Sequence, residues 1–149
     1  MARIGLPEDF KDLLKLLTSN KAEYLLVGGY AVTYHGYPRS TGDMDIWIPL
    51  QESNTRKVIQ SLVEFGMSPE NLSVDLFSQK DKIIRMGVPP LRIELLTGVS
   101  GVEFSDCYSR RVTVEEDGIP VCLISIEDLK KNKKASGRHK DLEDLEHLP

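Results

Sequence analysis

The chain has 149 residues, of which 40% are apolar and 28% charged, and its formal net charge is −4 at pH 7. This is the composition of a globular protein that can bury one hydrophobic core, so we expect a single domain over residues 1–149. The acidic balance argues against broad electrostatic binding of nucleic acid, which usually shows a basic excess.

Targeting and redox features are those of an ordinary cytoplasmic protein. The N-terminus has no signal-peptide pattern, and no apolar run approaches the ~20 residues that span a bilayer. Cys107 and Cys122 show no metal-ligand spacing, and we expect both thiols to be reduced. We therefore predict a cytoplasmic location and no membrane partner.

Hydrophobic periodicity predicts helices and strands that are mixed along the chain. The predicted helices are 7–20, 30–36, 52–65, 126–134 and 139–148. The predicted strands are 23–27, 44–48, 82–86, 91–96, 110–116 and 119–125. Residues 67–80 are ambiguous, 100–109 fit a short helix or a loop, and Val88-Pro89-Pro90 connects two of the strands. This mixture predicts an α/β or α+β fold.

Two local signals stand out in the second half of the chain. Asp117-Gly118 between two alternating runs is typical of a tight β-hairpin. The final helix is predicted from Leu142, Leu145 and Leu148, which recur every three residues.

Gly28-Gly29 lies where a predicted strand passes into a predicted helix. Glycines at such a turn let backbone N–H groups approach an anion closely, and the helix N-terminus adds a partial positive charge. This arrangement suits a triphosphate. Judged alone, however, the pair fits an ordinary tight turn better.

Asp43 and Asp45 are two residues apart at the start of a predicted strand, so both side chains should point to the same face. Carboxylates on a rigid edge suit Mg²⁺ (or Mn²⁺), which binds carboxylate, phosphate and water oxygens. The alternative is a solvated strand start. Taken with the glycine pair, in this order and spacing, the functional interpretation is favoured.

Glu94 is the best candidate for a third carboxylate, which would complete a two-metal arrangement for attack on phosphorus. It lies between apolar neighbours, where a carboxylate costs free energy unless it is paired, exposed or bound to metal. The alternatives are a surface position on an edge strand, or an ion pair with Arg92 or Arg85.

Together these motifs resemble a known family. Gly28-Gly29 followed by the block 39–45 (RSTGDMD) is similar to the signature of the nucleotidyltransferase superfamily, which has the DNA polymerase β-like fold. Within it, the chain most resembles the small bacterial branch of AbiEii-type toxins and other minimal nucleotidyltransferases. The tail agrees with this branch in the segments 125–129, Lys133, 137–141 and Asp144.

The resemblance implies a mixed β-sheet flanked by helices and Mg²⁺-dependent transfer of a nucleoside monophosphate from a nucleoside triphosphate to an acceptor hydroxyl. It implies that three carboxylates act as catalytic groups and metal ligands, namely Asp43, Asp45 and Glu94. It implies nucleotide-binding roles for Gly28, Gly29, Arg39, Thr41, Lys133, Arg138 and Lys140. Arg and Lys are the usual partners of phosphate.

Several alternatives stay open at this point. Arg39 could instead solvate its loop, and the basic stretch from Lys130 to Lys140 could be a solvated helix face with acidic partners one turn away. The acceptor could be RNA, a protein side chain or a small molecule. The alternative function is a non-catalytic triphosphate-binding module, or a toxin-like component that acts with an antitoxin-like partner protein.

Overall fold

The computed structural model of the protein describes residues 3–88 and 91–149. Its helices are α1 Glu8–Ser19, α2 Gly28–His35, α3 Glu52–Phe65, α4 Phe104–Ser109, α5 Ile126–Ser136 and α6 His139–His147. Its strands are β1 Leu25–Val27, β2 Asp43–Trp47, β3 Ile83–Val88, β4 Leu91–Leu96, β5 Val112–Glu116 and β6 Ile119–Leu123. Two short 3-10 helices, Pro69–Asn71 and Val74–Phe77, occupy the stretch that the sequence left ambiguous. Pro89 and Pro90, in the predicted connection between β3 and β4, lie outside the described residues.

The six strands form one mixed sheet in the order β3-β4-β2-β1-β6-β5. β2 pairs in parallel with β4 and antiparallel with β1, and β1 pairs in parallel with β6. The outer pairs β3–β4 and β5–β6 are antiparallel. The predicted mixed sheet flanked by helices is therefore confirmed.

Side chains along β2 alternate between the hydrophobic core and the opposite face of the sheet, where the two predicted metal-binding carboxylates lie. Met44 and Ile46 are completely buried, whereas Asp43 and Asp45, on the opposite face, are only partly buried. Burying the apolar side of this central strand fixes which way both carboxylates point, because a one-residue slip would bury them instead.

The hairpin prediction is confirmed. β5 and β6 pair in antiparallel register across Asp117 and Gly118, whose φ angles are 54° and 80°. Two positive φ values are what a type I′ turn requires. Cys107 and Cys122 are both unbridged. In the described ranges, no helix has the length and apolarity to cross a membrane.

One helix boundary needs correction. α2 begins at Gly28 rather than at residue 30, so the glycine pair is the first turn of the helix. The predicted final helix is confirmed at His139–His147. Its inward face carries Asp141 and Asp144, each 1% exposed, whereas Leu142 is 45% exposed. The helix turns carboxylates inward because cations from other elements meet them there.

The alternative that placed Glu94 on an edge strand is wrong. β4 lies between β3 and β2, so it is an interior strand, and the Glu94 side chain is 14% exposed.

Candidate functional site

A cavity of about 570 Å³ lies over the sheet at β2 and β4, bounded by α2, α5 and the start of α6. The structure brings every nominated residue to its lining, namely Gly28, Gly29, Arg39, Thr41, Asp43, Asp45, Glu94, Lys133, Arg138 and Lys140. Residues from four separate stretches of sequence therefore meet in one space of the size that ordinarily holds a small ligand.

The parallel pairing of β2 with β4 aligns the carboxylates. Asp45 is directly opposite Glu94, and Asp43 is opposite Arg92. Residues that are directly opposite in a ladder have neighbouring side chains on the same face. The strand register thus assembles an acidic cluster that the linear sequence separates by about fifty residues.

Asp45 is in an unusual state. Its Oδ1 is buried and has no hydrogen-bond partner among the described residues. Burial, then the adjoining Glu94 carboxyl, and then Asp43 raise the pKa of Asp45 to about 7, while Lys133 lowers it. An orphaned buried oxygen costs free energy, so it marks a position where a further partner would be stabilising.

The other two carboxylates are neutralised by arginines. Arg92 makes a bidentate contact with Asp43, at 3.1 Å from Nε to Oδ1 and 2.9 Å from Nη2 to Oδ2. Arg85 donates to Oε1 of Glu94 at 3.0 Å, so the predicted alternative of pairing with Arg85 is present. Both arginines are substantially exposed, so these pairs are accessible to solvent and to competing cations.

The glycine pair has a packing reason that sequence reasoning did not give. A Cβ on Gly28 would collide with the carboxylate of Asp45, and the φ of Gly28 is +68°. A Cβ on Gly29 would lie 2.8 Å from Oγ1 of Thr41, whose hydroxyl donates to the backbone carbonyl of Asp43. The missing side chains therefore bring the start of α2 into direct contact with the β2 carboxylates.

The N-terminus of α2 is suited to an anion. No side chain caps its first turn, and that turn contains no acidic residue. The first N–H groups of a helix have no partner within the helix, and the helix dipole places positive potential there. This end of α2 lines the cavity through Gly28 and Gly29.

Three of the nominated cations are held by two buried carboxylates on α6. Arg39 binds Asp144 through Nε and Nη2, at 2.9 and 3.0 Å. Lys133 contacts Asp141 at 3.2 Å and Asp144 at 3.1 Å, and Arg138 contacts Asp141 at 2.8 Å. The Lys133 side chain is only 7% exposed, so the interpretation of this stretch as a solvated face is wrong for Lys133.

The Asp141 side chain is strongly stabilised in its charged, carboxylate form. Its burial would raise the pKa of the carboxyl, but hydrogen bonds from Arg138, Ser136 and Lys133 outweigh burial and lower it well below the usual range. The carboxylate is therefore a permanent anchor for these cations at physiological pH.

A preformed metal site is not present in the described ranges, where no three His, Cys, Asp or Glu side chains are grouped to hold an ion. The donor chemistry nevertheless suits Mg²⁺, because the cavity offers carboxylate oxygens and Asp45 Oδ1 lacks a partner. Asp43 and Glu94 would have to turn from their arginines to join it.

Sequence reasoning missed several lining residues. Asp81, Gly98 and Ser100 border the cavity and also border a second one of about 520 Å³, which extends toward Trp47 and Phe104. Gly98 accommodates the Asp81 carboxylate where a Cβ would collide with it. These residues come from loops without a motif, so only the folded chain shows their proximity.

Comparison with known proteins agrees with this geometry. The sequence profile of the family described as "Nucleotidyltransferase of unknown function (DUF6036)" matches residues 6–148. The chain thus belongs to this family of nucleotidyltransferases. No curated protein matches it.

A solved structure shares the fold. It is that of a "putative nucleotidyltransferase (TM1012)" from Thermotoga maritima, with 18% sequence identity and a TM-score of 0.65. The similarity covers 98% of this chain and 93% of that one. At this identity the match shows a common fold rather than a common substrate.

Proposed function

We propose that the protein transfers a nucleoside monophosphate from a nucleoside triphosphate to an acceptor hydroxyl, with a divalent metal ion bound at Asp43, Asp45 and Glu94. The observation that carries this proposal is the meeting, in one cavity, of the β2 and β4 carboxylates, the uncapped start of α2 and a cluster of cations. The reaction joins the acceptor oxygen to the α-phosphorus and breaks the bond to pyrophosphate, which leaves.

Mg²⁺ or Mn²⁺ bound to the carboxylates would neutralise charge on the phosphates and orient the α-phosphate for attack. Asp45 supplies the oxygen that lacks a partner, and Asp43 shares its strand face. Glu94, opposite Asp45 in the strand register, would accept the proton of the acceptor hydroxyl.

The remaining lining residues bind the donor. The first N–H groups of α2, which line the cavity at Gly28 and Gly29, would bind the phosphates, and the Thr41 hydroxyl holds the adjoining loop by donating to the carbonyl of Asp43. Arg39, Lys133, Arg138 and Lys140, which also line the cavity, would supply positive charge to the phosphates.

The test is label transfer from each of the four α-³²P-labelled ribonucleoside triphosphates, with Mg²⁺ or Mn²⁺. RNA, protein and small-molecule fractions would be offered as acceptors to wild type, Asp43→Asn and Asp45→Asn. Asp12→Asn is the control, because Asp12 is exposed on α1 and does not line the cavity. We expect transfer by wild type and the control, and its loss in both site variants.

Undiminished transfer by either site variant would refute the carboxylate assignment. Triphosphate binding by wild type without transfer to any acceptor would instead favour the alternative, a binding module or toxin-like component that works with a partner protein.

A further inference from the structure

Asp144 is a buried carboxylate that does not line the cavity, but its two ion-pair partners, Arg39 and Lys133, do. Its residue is 1% exposed, and it is absent from the residues that line the cavity. It binds Arg39 in a bidentate manner and Lys133 at 3.1 Å. The contacts of Asp144 with the lining of the cavity are therefore made through these two cations.

The contacts leave both cations able to donate further. A guanidinium has five N–H donors and an ammonium has three. Asp144 occupies two donors of Arg39, so three remain without a partner among the described residues. Lys133 donates one hydrogen bond, to Asp141, and forms an ion pair with Asp144 at 3.1 Å, so at least one of its three donors remains. Each cation therefore has N–H donors that are not used by the carboxylates and are available to bind phosphate oxygens.

The cluster keeps a net positive charge with Asp144 in place. Arg39, Lys133 and Arg138 carry three positive charges, and Asp141 and Asp144 carry two negative charges, which leaves one positive charge. Because Asp144 lowers this charge, its contribution to phosphate binding comes from ordering the cations and not from added charge. Without Asp144, Arg39 and Lys133 would repel each other and would regain rotamer freedom. A ligand would then have to order both side chains as it bound, which weakens binding.

Stability alone does not explain a carboxylate at this position. Replacement of a whole buried ion-pair network by apolar side chains is often neutral or stabilising, so apolar residues at all of these positions would hold α6 without any charges. The helix instead exposes Leu142 and buries Asp141 and Asp144. The inward face of α6 is therefore arranged for the cations rather than for apolar packing.

We infer that Asp144 is a positioning residue that preorganises Arg39 and Lys133 to bind the phosphates of the donor nucleotide. This inference rests on the proposed function. Asp144 links the loop between α2 and β2, which carries Arg39, to α5, which carries Lys133. The C-terminal helix thereby connects two separate segments that carry cavity-lining cations.

The test is a double-mutant cycle on the dissociation constant of the triphosphate, measured by calorimetry with Mg²⁺. The four common ribonucleoside triphosphates are first compared on wild type, and the tightest is used. The variants are Asp144→Asn, Arg39→Gln and their combination. Asp144→Asn keeps the size of the side chain but turns an amide N–H₂ toward donors. We expect each single variant to bind about tenfold more weakly, the size of one lost charge-assisted hydrogen bond.

If Asp144 acts through Arg39, the combined variant should bind no more weakly than Asp144→Asn alone. Asp128→Asn is the matched control, since Asp128 is 0% exposed and holds Arg110 in a bidentate contact outside this cluster. It should lose stability but keep the wild-type dissociation constant. Thermal unfolding of all variants separates binding from folding.

Three outcomes would overturn the inference. These are wild-type affinity in Asp144→Asn, multiplication of the two single effects in the combined variant, or equal weakening by Asp128→Asn. Failure of wild type to bind any triphosphate would instead contradict the proposed function itself.

Discussion

Gly28→Ala tests the contact that joins the start of α2 to the carboxylates. Gly28 has a φ of +68°, and its Cα faces the Asp45 carboxylate so closely that a Cβ would overlap it. The backbone term for alanine in this region is about 1–2 kcal/mol. Overpacking against Asp45 adds about 1–3 kcal/mol. We therefore expect the free energy of unfolding to fall by about 2–5 kcal/mol.

Gly5→Ala separates the two contributions. Gly5 has a similar φ of +77°, but nothing lies within 4 Å of the position its Cβ would take. This variant should lose only the backbone term of about 1–2 kcal/mol. Urea unfolding of both variants measures the difference in their free energies of unfolding, and equal dependence of that free energy on urea concentration shows that the comparison is valid.

A third variant identifies the colliding group. In Gly28→Ala combined with Asp45→Ala, the carboxylate is gone and only the Asp45 Cβ remains, 3.0 Å from the added methyl, so most of the extra cost relative to Asp45→Ala alone should be lost. Equal destabilisation by Gly28→Ala and Gly5→Ala would show that Asp45 does not press on the helix start, and would refute the reasoning.

Three further predictions concern pH, capping and the last helix. Burial, then Glu94, raises the pKa of Asp45 from 3.8 to about 7, so the folded chain keeps a proton that the unfolded chain has released. The free energy of unfolding, measured by urea titration, should therefore decrease as pH rises from about 4 to 7. This pH dependence should be weaker in Asp45→Asn. An equal pH dependence in the variant would contradict the raised pKa of Asp45. Ser125→Ala should lower the free energy of unfolding by about 1 kcal/mol in urea, because the Ser125 hydroxyl accepts a hydrogen bond from the Asp128 N–H at the start of α5 and alanine cannot. An unchanged free energy of unfolding would show that this N-cap does not stabilise the protein. Leu142→Ala should cost less than about 1 kcal/mol, since Leu142 is half exposed, whereas Leu129→Ala, at a fully buried position, should cost about 2–5 kcal/mol. Equal losses would show that Leu142 is as buried in solution as Leu129.

The elements that sequence alone predicted well carry strong local signals. α3 was predicted at residues 52–65 and is observed at Glu52–Phe65, because an amphipathic stripe ends at Gly66, whose φ is +118°. The acidic pair on β2 was also predictable, because a period of two places both carboxylates on one face. Such patterns need no knowledge of distant partners.

Long-range pairing could not be predicted in the same way. Arg39 and Asp144 are 105 residues apart in the sequence, and no local pattern around either residue indicates that the two are in contact. For the same reason the leucine spacing predicted the helix α6 but not its inward-facing aspartates, which are stabilised by cations from other elements. The closeness of Asp45 to Gly28 likewise required the antiparallel register of β1 and β2, in which Val27 is opposite Asp45.

The most direct test of the central claim is thermal unfolding with each of the four ribonucleoside triphosphates, with and without Mg²⁺, for wild type and Asp45→Asn. A ligand at 100 times its dissociation constant adds about 2.7 kcal/mol, which is roughly 5–10 °C for a chain of this size. We expect a Mg²⁺-dependent rise in the unfolding temperature with at least one nucleotide, and its loss in Asp45→Asn. No rise with any nucleotide, or an equal rise in Asp45→Asn, would contradict a metal-assisted triphosphate site at Asp45.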